Sequence, residues 1–414
     1  MQFDKNKSAF VHQWYPFVEG YSKDFIISII EELDYEPELA FDPFAGSGTT
    51  PLELQDLGVK CYSCEVSPFM HKLATVKLER NYTKQGFVDS LITVGKILNG
   101  DLLPIRSLMK PPLAKTFQPK KGLKKWIFDR AVMSGILDIQ YAISKIKNRK
   151  YEDLFSIALA SILLDISNAY RDGKSLKYKK NWQSQKITRR DVHAKYLRVL
   201  NDVFLPDIER LESLEFEIEN KELCIHGDVR KGIKSLPDDS IDLVITSPPY
   251  LNSRDYTDIY IAELWILGLV KNYEELRSLR KETLRSHVQV KHGEIDIVES
   301  KELRLVIQKL QNNMEDHWNN ELLGMIKGYF QDMKTLFSEL RKKMKSGKKV
   351  FFNVANSAYY GVEINVDQIV AEIAEGSGFQ VNEIRKARDL KPSSQQKNLI
   401  DSLRETVIVM TSSL

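Results

Sequence analysis

Residues 241–250 have the sequence IDLVITSPPY, in which a β-branched apolar run ends in a hydroxyl residue, two prolines and a tyrosine. The run from Ile241 to Ile245 predicts a buried strand. The prolines end this strand, because they lack the N–H that a sheet ladder needs, and they keep the following backbone extended. In an open α/β sheet, ligands bind outside the carboxyl ends of the strands. The residues after Ile245 are therefore predicted to line a ligand site.

The side chains at this strand end suit recognition of a planar amine. Ser247 offers a hydroxyl, Pro248 and Pro249 offer backbone carbonyls, and Tyr250 offers a flat ring. Such a set accepts hydrogen bonds from an exocyclic amino group while the ring stacks on the base that carries it. A strand followed by an ordinary Pro-Pro turn has the same pattern, so this motif alone leaves both interpretations open.

A glycine-rich motif lies earlier, where residues 41–50 have the sequence FDPFAGSGTT. Gly46 and Gly48 can take positive φ and let the backbone approach a ligand closely. The third glycine of the dinucleotide fingerprint is missing. Asp42, at the end of a predicted strand, is unfavourable beside a pyrophosphate but suits the ammonium group of an amino acid.

The next predicted strand, residues 59–65, ends in a second carboxylate. Glu65 follows Gly46 by 19 positions, which is close to the spacing at which an acidic residue meets ribose hydroxyls. An ammonium group and a ribose without a pyrophosphate describe S-adenosylmethionine. The cofactor-binding residues predicted in these two segments are Asp42, Phe44, Ala45, Gly46, Ser47, Gly48 and Glu65.

The motifs DPFAGSGTT and TSPPY closely resemble those of S-adenosylmethionine-dependent DNA amino-methyltransferases of restriction-modification systems, most of all the SPPY enzymes that act on N4 of cytosine. The resemblance covers roughly residues 12–80 and 221–411. It implies a seven-stranded, mostly parallel, doubly wound sheet of the class I methyltransferases, with a closing hairpin near 378–384 and 405–410. It also implies that Asp228, after the strand starting at Leu223, binds the adenine amino group of the cofactor. A helix beginning after Ser22 would lie beside the cofactor.

The order of the motifs departs from many SPPY enzymes, in which the catalytic motif precedes the cofactor motif. A circular permutation explains the reversed order, because the termini of this fold lie close together. We expect residues 1–95 to form the cofactor-binding half and residues 221–414 the catalytic half, with a helical excursion at about 258–345. Residues 96–220 would form a mainly helical, basic insert, the first choice for target recognition. Residues 270–330 are the second choice.

The insert combines two predicted helices, near 128–147 and 152–170, with a basic segment that begins at Arg171. Cations interleaved with aromatic rings suit a surface that neutralises phosphates and stacks beside bases. A solvated charged face has the same composition, and that alternative stays open. The residues predicted to contact DNA are Lys174, Lys177, Lys179, Lys180, Trp182, Arg189 and Arg190.

The resemblance implies direct methyl transfer to N4 of a cytosine flipped out of duplex DNA. The predicted catalytic residues are Ser247, Pro248, Pro249 and Tyr250. Acceptors at the Ser247 hydroxyl and the Pro248 carbonyl would expose the lone pair of the amine to the methyl group. No metal is needed, and no cysteine follows the prolines, which argues against methylation of a ring carbon.

Three alternatives remain. Adenine N6 has the same chemistry, although a serine at the first motif position favours cytosine within the family. A tRNA guanine-N2 methyltransferase shares the motif order, but such enzymes usually carry an N-terminal RNA-binding domain, and only about 40 residues precede Asp42. A catalytically silent DNA-binding subunit would have no need to keep intact motifs.

The composition bounds the class of protein. The chain has 414 residues, 43% hydrophobic residues and a formal net charge of +3, which is too small to identify a partner. Cys61 and Cys64 are predicted to be strand residues and not metal ligands. Without a signal peptide or a long apolar run, we expect a cytoplasmic protein without a membrane span. The expected partners are double-stranded DNA and a separately acting cognate restriction endonuclease.

Overall fold

The computed structural model describes residues 6–17, 20–102, 104, 110–172, 175–251, 255–288, 295–313, 320–392, 396 and 398–413. Its strands are β1 (Leu39–Asp42), β2 (Lys60–Glu65), β3 (Ala169–Arg171), β4 (Leu176–Tyr178), β5 (Cys224–His226), β6 (Ile241–Thr246), β7 (Met344–Ala355), β8 (Ser357–Tyr359), β9 (Val362–Ile364), β10 (Phe379–Leu390) and β11 (Leu403–Ser412). Its α-helices are α1 (Lys23–Glu32), α2 (Thr49–Asp56), α3 (Pro68–Leu78), α4 (Lys84–Leu98), α5 (Arg130–Ile143), α6 (Arg149–Ile166), α7 (Arg189–Val199), α8 (Leu205–Glu212), α9 (Val229–Gly232), α10 (Tyr256–Ile259), α11 (Ile261–Ile266), α12 (Tyr273–Glu282), α13 (Lys301–Asn313), α14 (Asn320–Lys343) and α15 (Val366–Glu375).

A seven-stranded sheet organises the molecule, with the strand order β10-β11-β7-β6-β1-β2-β5. Strands β7, β6, β1, β2 and β5 are mutually parallel, and β11 runs antiparallel to both of its neighbours. The predicted seven-stranded, mostly parallel sheet is confirmed, and so is the closing hairpin, formed by β10 and β11. Both strands of this hairpin are longer than their apolar runs, because polar residues continue the pairing beyond them.

The sheet brings the two motifs together. Strand β1, which precedes the glycine-rich motif, pairs directly with β6, which precedes the SPPY motif. Both strands run in the same direction, so their carboxyl ends meet at one edge of the sheet. The reversed order of the motifs along the chain therefore does not separate them in space.

Alternate residues of each strand bury opposite faces of the sheet, as strand geometry requires. Leu243 and Ile245 of β6 pack with Phe25, Ile26 and Ile29 of α1. Val244 lies on the other face, in a cluster with side chains from α9, α13, α14 and α15. Helices on both faces make the sheet doubly wound. Cys61 and Cys64 are buried within β2, which confirms that they are strand residues.

The insert shares its hydrophobic core with other parts of the chain. Side chains of α5 to α8 form one buried cluster with Trp14, Phe69, Tyr260 and Trp265. The helix predicted at 152–170 ends earlier, at Ile166, because residues 169–171 pair with residues 176–178 as an antiparallel hairpin. None of the described helices has the length and apolar composition of a membrane span.

Candidate active site

A cavity of about 490 Å³ opens at the carboxyl ends of the parallel strands. This volume lies within the range of about 300–1,000 Å³ that is typical of small-molecule sites. Both sequence motifs line it. The motif residues in its wall are Pro43, Phe44, Ala45, Gly46, Thr49, Ser247, Pro248, Pro249 and Tyr250, together with the acids Glu65 and Asp228.

The glycine turn after β1 depends on two positive φ angles, +52° at Gly46 and +82° at Gly48. A Cβ added at Gly48 would lie 2.9 Å from the Cβ of Ala74 in α3, so a side chain there would push this helix away. The sequence thus needs glycine at Gly48 both for the backbone angle and for the close approach of α3.

Glu65 joins this turn to the start of α3. Its carboxylate accepts hydrogen bonds from the backbone N–H of Gly46 at 2.8 Å and of Ser67 at 2.7 Å. Burial raises the pKa of Glu65 to about 7, against the opposing effect of these two donors. A carboxylate that is held in place at the cavity wall can accept a hydroxyl hydrogen from a ligand.

Asp42 is only 1% exposed and does not line the cavity. Its Oδ1 accepts hydrogen bonds from the hydroxyl of Thr246 at 2.6 Å and from the N–H of Phe44 at 3.0 Å. Burial raises the pKa of Asp42 to about 6. The carboxylate therefore links β1 to β6, and its predicted contact with the cofactor ammonium stays a prediction. Ser47, also buried, and Gly48 do not line the cavity either, and their predicted contacts with the cofactor stay predictions.

Asp228 follows β5 and caps the short helix α9. It accepts from the N–H of Arg230 at 2.9 Å and forms an ion pair with the same guanidinium at 2.8 Å. Arg230 also pairs with the buried Asp332 of α14 at 2.9 Å. These contacts fix the carboxylate of Asp228 at the cavity wall.

Tyr250 is held through its hydroxyl group. The hydroxyl donates to Glu405 at 2.9 Å and accepts from the side-chain amide of Asn353 at 3.0 Å. Ser247 Oγ donates to the same hydroxyl over a longer distance of 3.4 Å. Burial, with the nearby carboxylate of Glu405, raises the pKa of Tyr250 well above its usual value, so the phenol is neutral.

The sequence interpretation did not identify Asn353, Glu405 or Arg388, although all three line the cavity. Asn353 lies in β7, Glu405 in β11 and Arg388 in β10. The only available signal was an amide or a charge within an apolar strand, as in KKVFFNVA and LRETVIVM.

An aromatic part of the cavity wall is formed by Phe17 and Tyr260, with Phe17 next to Gly46 of the glycine turn. The two rings stack with centroids 6.3 Å apart. The guanidinium of Arg171 lies 4.5 Å from the centroid of the Tyr260 ring and pairs with buried Glu263 at 2.6 Å. Arg171, from the hairpin of the insert, thereby ties the insert to the cavity.

The cations predicted to bind DNA have partners inside the fold. The Lys179 ammonium donates to the carbonyls of Leu164, Asp165 and Ser167 at the end of α6, at 2.6–2.9 Å. It therefore satisfies carbonyls that the end of this helix leaves without intrahelical partners.

Three more of the predicted cations also have partners in the protein. Arg189 pairs with Asp138, and Lys177 pairs with Asp172 at 2.5 Å. Arg190 donates to two backbone carbonyls at the end of α4 and beyond it.

The tryptophan of the segment is packed into the fold. Trp182 is 7% exposed, and its ring lies 4.9 Å from that of Trp126. Lys180 is exposed to solvent, whereas Lys174 lies outside the described residues.

No described member of the predicted DNA-binding set lines the cavity. Among the residues that the structure describes, the basic side chains that line it, apart from His287, are Arg388 and Lys391 of the β10–β11 hairpin. Contact between DNA and the predicted set stays a prediction. Within the part of the chain that the structure describes, no group of three or more side chains could hold a metal ion.

No protein-family model matches the chain. It is similar to Type II methyltransferase M.AvaI of Nostoc sp., with 27% identity over an alignment of 426 residues that covers 96% of this chain and 85% of the relative. Type II methyltransferase M.BsoBI of Geobacillus stearothermophilus is 25% identical over 446 residues, covering 96% and 84%. A solved structure, the rRNA methyltransferase aviRa from Streptomyces viridochromogenes, aligns with 11% identity and a TM-score of 0.28. The chain is thus a homologue of Type II methyltransferases over nearly its whole length.

Proposed function

We propose that this protein is a site-specific DNA methyltransferase that moves the methyl group of S-adenosylmethionine to the exocyclic N4 of cytosine. The observation that carries the proposal is a single cavity lined by the glycine turn, by Glu65 and Asp228, and by the SPPY residues. The similarity to Type II methyltransferases along both halves of the chain supports it.

The residues around the glycine turn fit S-adenosylmethionine. The turn lets a ligand approach its backbone, Glu65 offers carboxylate oxygens to ribose hydroxyls, and Asp228 offers an acceptor to the adenine amino group. When bound, the cofactor supplies an activated methyl group. The other requirements of the site are orientation and desolvation of the amine, and an acceptor for the proton that the amine loses on methylation.

The SPPY residues fit a flipped base. The Ser247 hydroxyl directs its hydrogen towards Tyr250 and accepts from the side-chain amide of Asn353 at 3.5 Å, which leaves one lone pair to accept from the amine. The Pro248 carbonyl provides a second acceptor. Stacking on the Tyr250 ring returns about 1–3 kcal/mol, which offsets much of the cost of base flipping, a few kcal/mol.

Cytosine N4 is proposed over adenine N6 because the first residue of the motif is Ser247, where the adenine enzymes of the resembling family usually have Asp or Asn. Both amines would make the same contacts with the Ser247 hydroxyl and the Pro248 carbonyl. A cognate restriction endonuclease acting separately is the proposed partner, because the chain resembles enzymes of restriction-modification systems.

The test is identification of the methylated nucleoside. Purified protein is incubated with S-adenosylmethionine and unmethylated phage DNA, and in parallel with unmethylated tRNA. Each nucleic acid is then digested and analysed by mass spectrometry. We expect N4-methylcytosine from DNA and no product with a Ser247→Ala, Tyr250→Ala control. N6-methyladenine would correct the base, and 5-methylcytosine, a product only in tRNA or no product at all would contradict the proposal.

A further inference from the structure

The carboxylate of Glu405 is buried at the cavity wall, with 4% of the residue exposed. Its Oε1 accepts hydrogen bonds from the Tyr250 hydroxyl at 2.9 Å and from the Asn353 amide at 3.1 Å. Its Oε2 pairs with the guanidinium of Arg388. A buried carboxylate is costly unless it is paired and hydrogen-bonded, and both oxygens of Glu405 are satisfied in this way.

The residues that hold the Tyr250 hydroxyl belong to strands of the sheet. Glu405 and Arg388 are directly opposite each other in the β10–β11 pair, and Glu405 is opposite Ala355 of β7. Asn353 lies in β7, next to the strand that carries the SPPY motif. Residues of three adjacent strands, β10, β11 and β7, therefore hold the hydroxyl group of Tyr250. The backbone of the same residue follows two prolines.

Stacking on a base requires only the ring, which phenylalanine would also supply. The hydroxyl of Tyr250 instead serves the contact with Glu405 and Asn353, and this contact restricts rotation of the ring about its side-chain torsions. A misplacement of reacting groups by about 1 Å can reduce a rate about a hundredfold. A Tyr250 ring that is already oriented before the base binds therefore favours a high rate of methyl transfer.

We propose that Glu405 is a positioning residue that holds the Tyr250 ring, through its hydroxyl, at the angle on which the target base stacks beside Ser247. This inference rests on the proposed function, since the stacked partner is a flipped base. Asn353 and Arg388 support it by fixing the carboxylate. By this proposal, residues of β10 and β11 that lie outside both sequence motifs contribute to the rate of methyl transfer.

The test is a double-mutant cycle with Tyr250→Phe and Glu405→Gln, using unmethylated phage DNA and radiolabelled S-adenosylmethionine. Tyr250→Phe removes one oxygen atom and should leave the fold intact. We expect kcat to fall about tenfold in this variant, with cofactor Kd by calorimetry within about twofold of wild type. The double variant should be no slower than Tyr250→Phe, because Glu405 acts through the hydroxyl. Wild-type kcat in Tyr250→Phe, or multiplied losses in the double variant, would overturn the inference.

Asp367→Asn is the matched control. Asp367 is fully buried and lies 2.8 Å from Arg404, the neighbour of Glu405 in β11, but it does not line the cavity. We expect it to lower the thermal stability without lowering kcat. An equal drop in kcat for Asp367→Asn and Glu405→Gln would assign the effect to a weakened β11 and overturn the inference. If the wild-type protein methylates no DNA, the proposed function itself fails, whereas a failure confined to the variants leaves it standing.

Discussion

The cavity at the edge of the sheet and the basic segment of the insert were both predicted from sequence as binding sites. In the structure, the residues predicted for the two sites differ in what they contact. Around the cavity, residues from motifs about 200 positions apart converge on one wall. In the basic segment, Lys177, Lys179, Arg189 and Arg190 bind acids and carbonyls of the protein itself. Density of positive charge is therefore weaker evidence for a binding surface than residues that specify a backbone conformation.

The physical reason lies in what each pattern constrains. Gly46 and Gly48 fix a turn, and Pro248 and Pro249 end a strand, so these residues determine where the chain goes. A lysine or an arginine constrains nothing about the backbone. Its long side chain reaches any acceptor within range, such as the end of α6 in the case of Lys179.

A sharp test of this difference replaces by valine one glycine of the cofactor turn and one glycine of the insert that precedes the basic segment. Gly48 and Gly122 have nearly equal φ angles, +82° and +83°, but only Gly48 has a neighbour that a Cβ would strike. Both variants carry backbone strain of about 1–2 kcal/mol. We expect Gly48→Val to lose at least about a hundredfold in cofactor affinity by calorimetry, and Gly122→Val to bind normally. Equal affinities would show that the turn does not shape the cofactor site.

A smaller effect is expected from Glu65→Gln. The glutamine side chain can accept hydrogen bonds through one oxygen only, so the N–H of Gly46 or the N–H of Ser67 loses its partner. We expect cofactor affinity to fall about tenfold, which corresponds to about 1.4 kcal/mol.

The pH dependence of binding sharpens this prediction. With a folded-state pKa of about 7, Glu65 is partly protonated at neutral pH, and its carboxylate is the better acceptor for ribose. Wild-type affinity should therefore rise between pH 6 and pH 8, approximately, and the rise should be absent in Glu65→Gln. A rise of equal size in the variant would contradict this role.

Asp42→Asn tests a residue that serves the fold. Because the pKa of Asp42 is raised to about 6, the folded state holds its proton more tightly than the unfolded state does. The stability that this tighter proton binding adds to the folded state is present below about pH 4, and it is lost as the pH rises through about 6. Asn keeps the acceptor for Thr246 and Phe44, so the variant should be more stable at pH 7.5 by up to about 2–3 kcal/mol in urea unfolding. Weaker cofactor binding in this variant would support the predicted ammonium contact, and unchanged binding would remove it.

The last pair of variants compares the two adjacent lysines of the basic segment. Lys179→Met should lower the free energy of unfolding by about 1–3 kcal/mol, because three carbonyls lose a donor. Lys180→Gln should leave stability unchanged. If Lys180 contacts a phosphate, the slope of log affinity for DNA against log salt should flatten by about 0.9. An unchanged slope in Lys180→Gln would leave the segment without evidence of DNA contact.

The sequence predicted the sheet well, since strands such as Ile241–Thr246 are short, mostly apolar runs between turn signals. It predicted less of the site, and for a definite reason. The contact of Tyr250 with Glu405 depends on the register of β11 against β7, which no local pattern specifies. Helix α6 ended early for a similar reason, because residues 169–171 pair with a strand that follows them.

The bond between Asp42 and Thr246 spans 204 positions of the chain. During synthesis, β1 and β2 leave the ribosome long before β6 exists, so one edge of β1 has no strand to pair with until more than half of the protein has been made. Contacts of such high sequence separation slow folding, since the loop must close before they can form. The helices of the insert are synthesised in the meantime, but their hydrophobic core also includes Tyr260 and Trp265, which follow β6 in the chain. Cofactor binding should therefore be among the last properties that the nascent chain acquires.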